Sequence, residues 1–146
     1  MTPFRHLLCP VDFSDASRKA LEWSSRFSKE TGARLTVLHV LDTSILSLGN
    51  LVAAPDIFAE LRRRSDEGFV LMQKELDFKH AHFEFEEGVP ESVIVNAAAE
   101  RGVDLVVMGT HGLSGLEKFF LGSVTEKVLH RTRVPLLTFC PSADEK

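Results

Sequence analysis

The sequence has 146 residues, 44% of them hydrophobic, and a net charge of −4 from 17 Lys and Arg against 21 Asp and Glu. That length suits one core, and the apolar-to-charged balance excludes intrinsic disorder as the main state. The acidic balance argues against general affinity for nucleic acid, and no apolar run approaches the roughly 18 residues of a membrane span.

The opening Met-Thr-Pro-Phe-Arg-His runs into a short apolar segment, without the longer stretch and small-residue cleavage site of a signal peptide. Cys9 and Cys140 lack the paired spacing of a zinc or redox motif and are expected to be reduced thiols. These features lead us to expect a soluble, cytoplasmic protein with one domain over 1–146.

Phe4 to Val11 carries Leu7, Leu8, Cys9 and Val11, the pattern of a strand buried on both faces. Asp12-Phe13-Ser14-Asp15 supplies turn and cap residues, and from Ala16 to about Lys29 the positions Ala20, Trp23 and Phe27 recur at helical spacing up to Gly32. Leu35 to Val40 reads as a second buried strand, and Thr43 to Pro55, mixed in Ser, Gly, Asn and Pro, as a loop. A long helix fits Ile57 to about Lys79, with Ile57, Leu61, Phe69, Met72 and Leu76 on one stripe. Gly68 inside it is out of place, since glycine costs about 1 kcal/mol relative to alanine in a helix.

His82 to Glu86 alternates strictly, as a half-buried edge strand does. Gly88 and Pro90 then open a helix over Glu91 to Arg101, closed by Gly102. Asp104 to Gly109 is a further apolar strand, Ser123 to Arg131 the last helix and Pro135 to Phe139 the last strand. Strands and helices alternate, so the fold class is α/β, a parallel sheet with helices on both faces.

Ligands of open parallel sheets bind at the carboxyl ends of strands, where strand order reverses. Two segments fall at such ends: Pro10-Val-Asp12, and Gly109-Thr-His-Gly112 continuing to Gly122-Ser123-Val124-Thr125. Glycines let backbone approach a ligand closely, and a helix beginning at Gly122-Ser123 leaves N–H groups for an anion. The hydroxyls of Ser123 and Thr125 add donors, and the helix dipole about 0.3–1 kcal/mol. The bland alternative is a loop turned by Gly109 and Gly112, with Ser123 as cap and Glu126 as its box partner.

The spacing Gly109-x2-Gly112-x9-Gly122-Ser123 resembles the nucleotide-binding signature of the universal stress protein family. The Pro10-Val-Asp-Phe-Ser14 start, the Leu38-His-Val40 strand end, the Gly88-x-Pro90 helix entry and Val134-Pro135 are similar to that family too. The resemblance implies an open five-stranded parallel sheet of order 3-2-1-4-5, a three-layer α/β/α sandwich. It implies the ATP-binding subset, with ATP, or ADP or AMP, across strands one and four and a divalent ion, Mg2+ or Mn2+, bridging the phosphates. Asp12 and Val40 would lie beside the adenine and ribose, and Pro10 is also among the implied nucleotide-binding residues. Met108, Gly109, His111 and Gly112 would line sugar and phosphates, and Gly122, Ser123, Val124 and Thr125 would hold the phosphates. Phe13 departs from the family, where many members have a small residue after this aspartate.

The implied role is a stress-response or signalling module, with slow ATP hydrolysis or a non-binding dimeric scaffold as alternatives. No Gly-x4-Gly-Lys-Ser/Thr loop occurs, and the segment from Gly109 to Thr125 holds Lys118 but no arginine, so no catalytic residue is assigned. The Asp-Phe-Ser-Asp after the first strand is not the Gly-x-Gly-x-x-Gly of a dinucleotide-dependent oxidoreductase. His111 reads as a solvated loop residue, Arg62 to Arg64 as a solvated helix face, and His80 with His82 as at most half of a metal site. The resemblance also implies a homodimer through the last strand, whose apolar edge is otherwise open. In the implied order, strand four separates the strands of Cys9 and Cys140 by roughly 9.5 Å, beyond the reach of a disulfide.

Overall fold

The computed structural model describes residues 3–44, 54–75, 80–110 and 121–140. The elements run β1 (His6–Pro10), α1 (Asp15–Thr31), β2 (Arg34–Asp42), α2 (Ala54–Glu75), β3 (Ala81–Gly88), α3 (Pro90–Glu100), β4 (Leu105–Gly109), α4 (Ser123–Arg131) and β5 (Leu136–Phe139). The strands form one parallel sheet in the order β3-β2-β1-β4-β5.

Every residue of β1 and β4 is buried, because these central strands are covered on both faces. On one face Leu7, Cys9, Val37 and Val107 pack against Ala20 and Leu21 of α1 and Phe69 and Met72 of α2. On the other, Leu8, Leu38, Val106 and Met108 meet Ile94, Ala97 and Ala98 of α3 and Val128 of α4. The two edge strands are only half-buried, and in β3 polar side chains alternate with Phe83 and Phe85. Arg101 pairs with both Glu84 and Glu86 along that edge.

Local chemistry explains the boundaries. Ser14 caps α1, its hydroxyl accepting from Ser17 N–H, and Gly32 ends the helix at φ 77. The loop expected through Pro55 ends earlier: Ala54 and Pro55 are already helical, since proline, which has no N–H, fits a first turn where that donor would have no intrahelical acceptor. Strand β2 runs two residues past the expected Val40, because Leu41 and Asp42 still pair with Glu87 and Gly88.

The irregular glycine of α2 has a tertiary cause. A Cβ at Gly68 would lie 2.9–3.0 Å from three ring atoms of Phe13. Phe13 has φ 65, a left-handed conformation that costs a non-glycine residue roughly 1–2 kcal/mol. Its ring centroid lies 4.5 Å from that of His39, the planes tilted by 39°, and it meets Phe69 edge-on at 5.6 Å. The large residue after Asp12 is therefore accommodated by the missing side chain on the helix above it.

Cys9 and Cys140 are free: Cys9 is buried in β1 and Cys140 is exposed beyond β5. Burial pushes the Cys9 thiol up to about 12, partly offset by a hydrogen bond to Ser24.

Candidate nucleotide site

The chain reverses direction across the sheet between β1 and β4, and a cavity of about 290 Å³ opens at the carboxyl ends there. Pro10, Val11 and Asp12 leave β1 into it, Leu38, Val40 and Asp42 reach it from β2, and Met108 and Gly109 from β4. Ser17 of α1, Pro90 and Ile94 of α3, and Gly122 to Thr125 at the start of α4 complete the wall.

Nine residues singled out in the sequence thus face one space: Pro10, Asp12, Val40, Met108, Gly109, Gly122, Ser123, Val124 and Thr125. His111 and Gly112 lie outside the described residues. Sequence reasoning covered Val11 only as part of the Pro10 to Asp12 segment and missed Ser17, Leu38, Asp42, Pro90 and Ile94. Two of these had a signal: Leu38 and Asp42 stand two residues either side of Val40 and so share its face of the strand.

The start of α4 differs in detail from the capping box considered above. Gly122 is the N-cap and offers no side-chain bond, while Ser123 is the first helical residue. The Gly122 N–H donates to Thr110 O at 2.5 Å, which fixes the entry point, and the Glu126 N–H is the first to bond back, to Gly122 O at 2.9 Å. The N–H groups of Ser123, Val124 and Thr125 therefore have no intrahelical acceptor. They make a partial positive charge at this end of the cavity.

The Thr125 hydroxyl is not a free donor. It is buried and donates to Gly109 O at 2.8 Å, tying α4 to β4. Ser123 is exposed and its hydroxyl has no partner among the described residues, whereas Thr125 can serve an anion through its backbone alone. Gly109 also has a packing reason. A Cβ there would lie 2.7 Å from Ala16 C and Cβ and 2.8 Å from Ser17 N, because α1 crosses β4 at this point.

The opposite end is acidic, Asp12 and Asp42 being the charged residues among those lining the cavity. Asp12 Oδ1 accepts from Ser14 N at 3.0 Å and from Ser14 Oγ at 2.5 Å, so this carboxylate both braces the start of α1 and faces the cavity. Asp42 repeats the arrangement, its Oδ1 accepting from Ser44 N at 2.8 Å and Ser44 Oγ at 2.5 Å. Beneath this rim, His39 Nδ1–H donates to Val11 O at 2.7 Å, and its Nε2 faces Ser65 Oγ at 3.0 Å. Burial lowers the His39 pKa more than the hydrogen bond to Val11 raises it.

The cavity therefore has apolar side walls, carboxylates at one end and uncapped helix amides at the other. Such a surface suits an elongated ligand with an anionic head, a flat apolar body and hydrogen-bond donors.

Comparison with known proteins places this architecture. A family model described as the universal stress protein family matches residues 3–139. The chain is 33% identical over 144 residues to universal stress protein YxiE of Bacillus subtilis (strain 168), covering 92% of this chain and 97% of the relative. It superposes on the structure of protein MJ0577 of Methanocaldococcus jannaschii with a TM-score of 0.84 at 26% identity, covering 98% and 100% of the two chains. A more distant neighbour of the same fold, a universal stress protein from Archaeoglobus fulgidus in complex with dAMP, gives a TM-score of 0.60 at 20% identity, over 94% and 99%.

Proposed function

The chain belongs to the universal stress protein family, and from that premise we propose that it is an adenine-nucleotide-binding module of the ATP-binding subset, acting in stress response or signalling. One observation carries the reading: the uncapped first turn of α4 and the apolar slot between Val40 and Met108 open on the same cavity. The fold neighbour in complex with dAMP supports it by example.

Charge sets the direction of the ligand. Phosphates belong at Ser123 to Thr125, where free N–H groups and the helix dipole favour negative charge. Placed at Asp12 and Asp42 they would meet two carboxylates, so that end takes the sugar hydroxyls and the base. A divalent ion, Mg2+ or Mn2+, would neutralise the phosphates. Among the described residues no three His, Cys, Asp or Glu side chains converge to hold a metal, so such an ion would be bound mainly by the nucleotide and water. The proposed assembly is a homodimer through β5, which pairs only with β4 among the described strands and offers Leu136, Leu137 and Phe139 half-buried at its edge.

The test is the nucleotide released by heat from the purified protein and identified by mass, alongside binding of added ATP. Ser123→Glu is the informative variant. A glutamate in the first turn favours the helix but repels a phosphate, so the fold persists while ATP affinity falls by about tenfold or more. A wild type that carries no nucleotide and binds no added ATP would refute the reading. Phosphate release measured on the same preparation separates binding from slow hydrolysis.

A further inference from the structure

We propose that Asp42 is the residue through which the cavity selects a 6-amino purine over a 6-oxo purine; this rests on the adenine-nucleotide reading above. Alternation along β2 places Leu38, Val40 and Asp42 on the face that packs against α3 and α4. Leu38 and Val40 belong to the apolar layer with Ile94 and Met108. Asp42 is the next step outward and lines the cavity together with Pro90. A flat base lying on Val40 therefore presents its edge to a carboxylate.

The hydrogen-bond inventory makes that carboxylate selective. Oδ1 already accepts two bonds, from the Ser44 N–H at 2.8 Å and the Ser44 hydroxyl at 2.5 Å, which exhausts its lone pairs. Among the described residues Oδ2 accepts no hydrogen bond, and an ionised carboxylate can only accept. The single exocyclic amino group of adenine supplies the donor that one oxygen needs. The 6-oxo group of hypoxanthine would set acceptor against acceptor. Guanine also carries an oxygen where adenine has its amino group, so it meets the same acceptor-against-acceptor contact at that position.

Inosine triphosphate differs from ATP in this edge alone, so the ratio of the two affinities reads the contact directly. The wild type is expected to prefer ATP by about tenfold, the scale of one hydrogen bond replaced by a repulsive pair. In Asp42→Asn the Ser44 N–H, a donor, keeps the amide oxygen toward itself. The Nδ2 donor then takes the place of Oδ2, and the preference falls to parity or reverses toward inosine triphosphate. Asp42→Ala, which supplies neither group, should bring the ratio close to one. An unchanged ATP preference in the two variants, each folded by circular dichroism, would overturn the assignment of Asp42 and leave the nucleotide reading standing. A wild type that binds ATP and inosine triphosphate equally would do the same. Failure of the wild type to bind either nucleotide would overturn the nucleotide reading and this inference with it.

Discussion

Replacing Gly68 by alanine ought to strengthen α2, yet we predict that it weakens the protein. In an exposed helix interior the exchange gains about 1 kcal/mol of intrinsic propensity. Here the new methyl group would sit 2.9–3.0 Å from the Phe13 ring. That ring cannot simply turn aside, being packed at a tilt on His39 at 4.5 Å and set edge-on to Phe69 at 5.6 Å. Overpacking of this kind costs about 1–3 kcal/mol, so the net expectation for Gly68→Ala is a loss of about 1 kcal/mol. In a Phe13→Ala background the obstacle is gone and the propensity gain should reappear as about 1 kcal/mol of stabilisation. The predicted coupling between the positions is therefore about 2 kcal/mol. Urea denaturation of the wild type, both single variants and the double variant measures it, at one protein concentration so that any self-association is held constant. Each kcal/mol should also move Tm by about 3 °C in a chain of this size. If Gly68→Ala stabilises both backgrounds equally, the glycine is not there to admit Phe13, and the account of this contact is wrong.

Gly109→Ala should destabilise the fold by about 1–3 kcal/mol in denaturation even without ligand, because its Cβ would lie 2.7 Å from the Ala16 backbone; an unaffected melting curve would contradict the close crossing of α1 and β4. Titration of native protein with a thiol reagent near pH 8 should modify Cys140 alone, Cys9 being fully buried with its thiol pushed up to about 12, and both should react once denatured. Burial lowers the pKa values of His6 and His39 from 6.5, so between the folded and unfolded values the unfolded chain binds more protons. Stability is thus complete above about pH 6.5 and declines as the pH falls below it, with a slope of up to about 1.4 kcal/mol per pH unit for each histidine. Denaturation midpoints between pH 5 and 7.5 check this, and a His39→Gln variant should flatten the decline.

The alternation of elements was legible because each carries a local signature: continuous apolar runs in β1 and β4, strict alternation in β3, Ser14 before α1 and Pro90 at the start of α3. Strand order was not in the periodicity and entered through the resemblance. What stayed hidden depends on residues distant in sequence. Gly68 read as a flaw in a helix because propensity is blind to Phe13. Thr125 read as a phosphate donor because nothing local shows that its hydroxyl is already bonded to Gly109 O. Pro90 and Ile94 joined the cavity wall only once α3 was laid across β2, a tertiary placement. Asp12, Gly109 and Gly122 to Thr125, singled out in the sequence and lining the cavity, sit at element ends, where backbone direction alone fixes the place.

The bond from Gly122 N to Thr110 O, reinforced by Thr125 Oγ1 on Gly109 O, works as a clasp at the neck of the segment 111–120. The chain leaves β4 and re-enters α4 at one fastened point, so the two elements keep their places whatever length lies between. Doubling such a connection adds only about 0.6 kcal/mol of closure entropy. Inserts between Thr110 and Gly122 can therefore be accepted while the sheet and the amide-bearing helix end stay put. The two ends of this connection are thus fixed by bonds that do not depend on what lies between them.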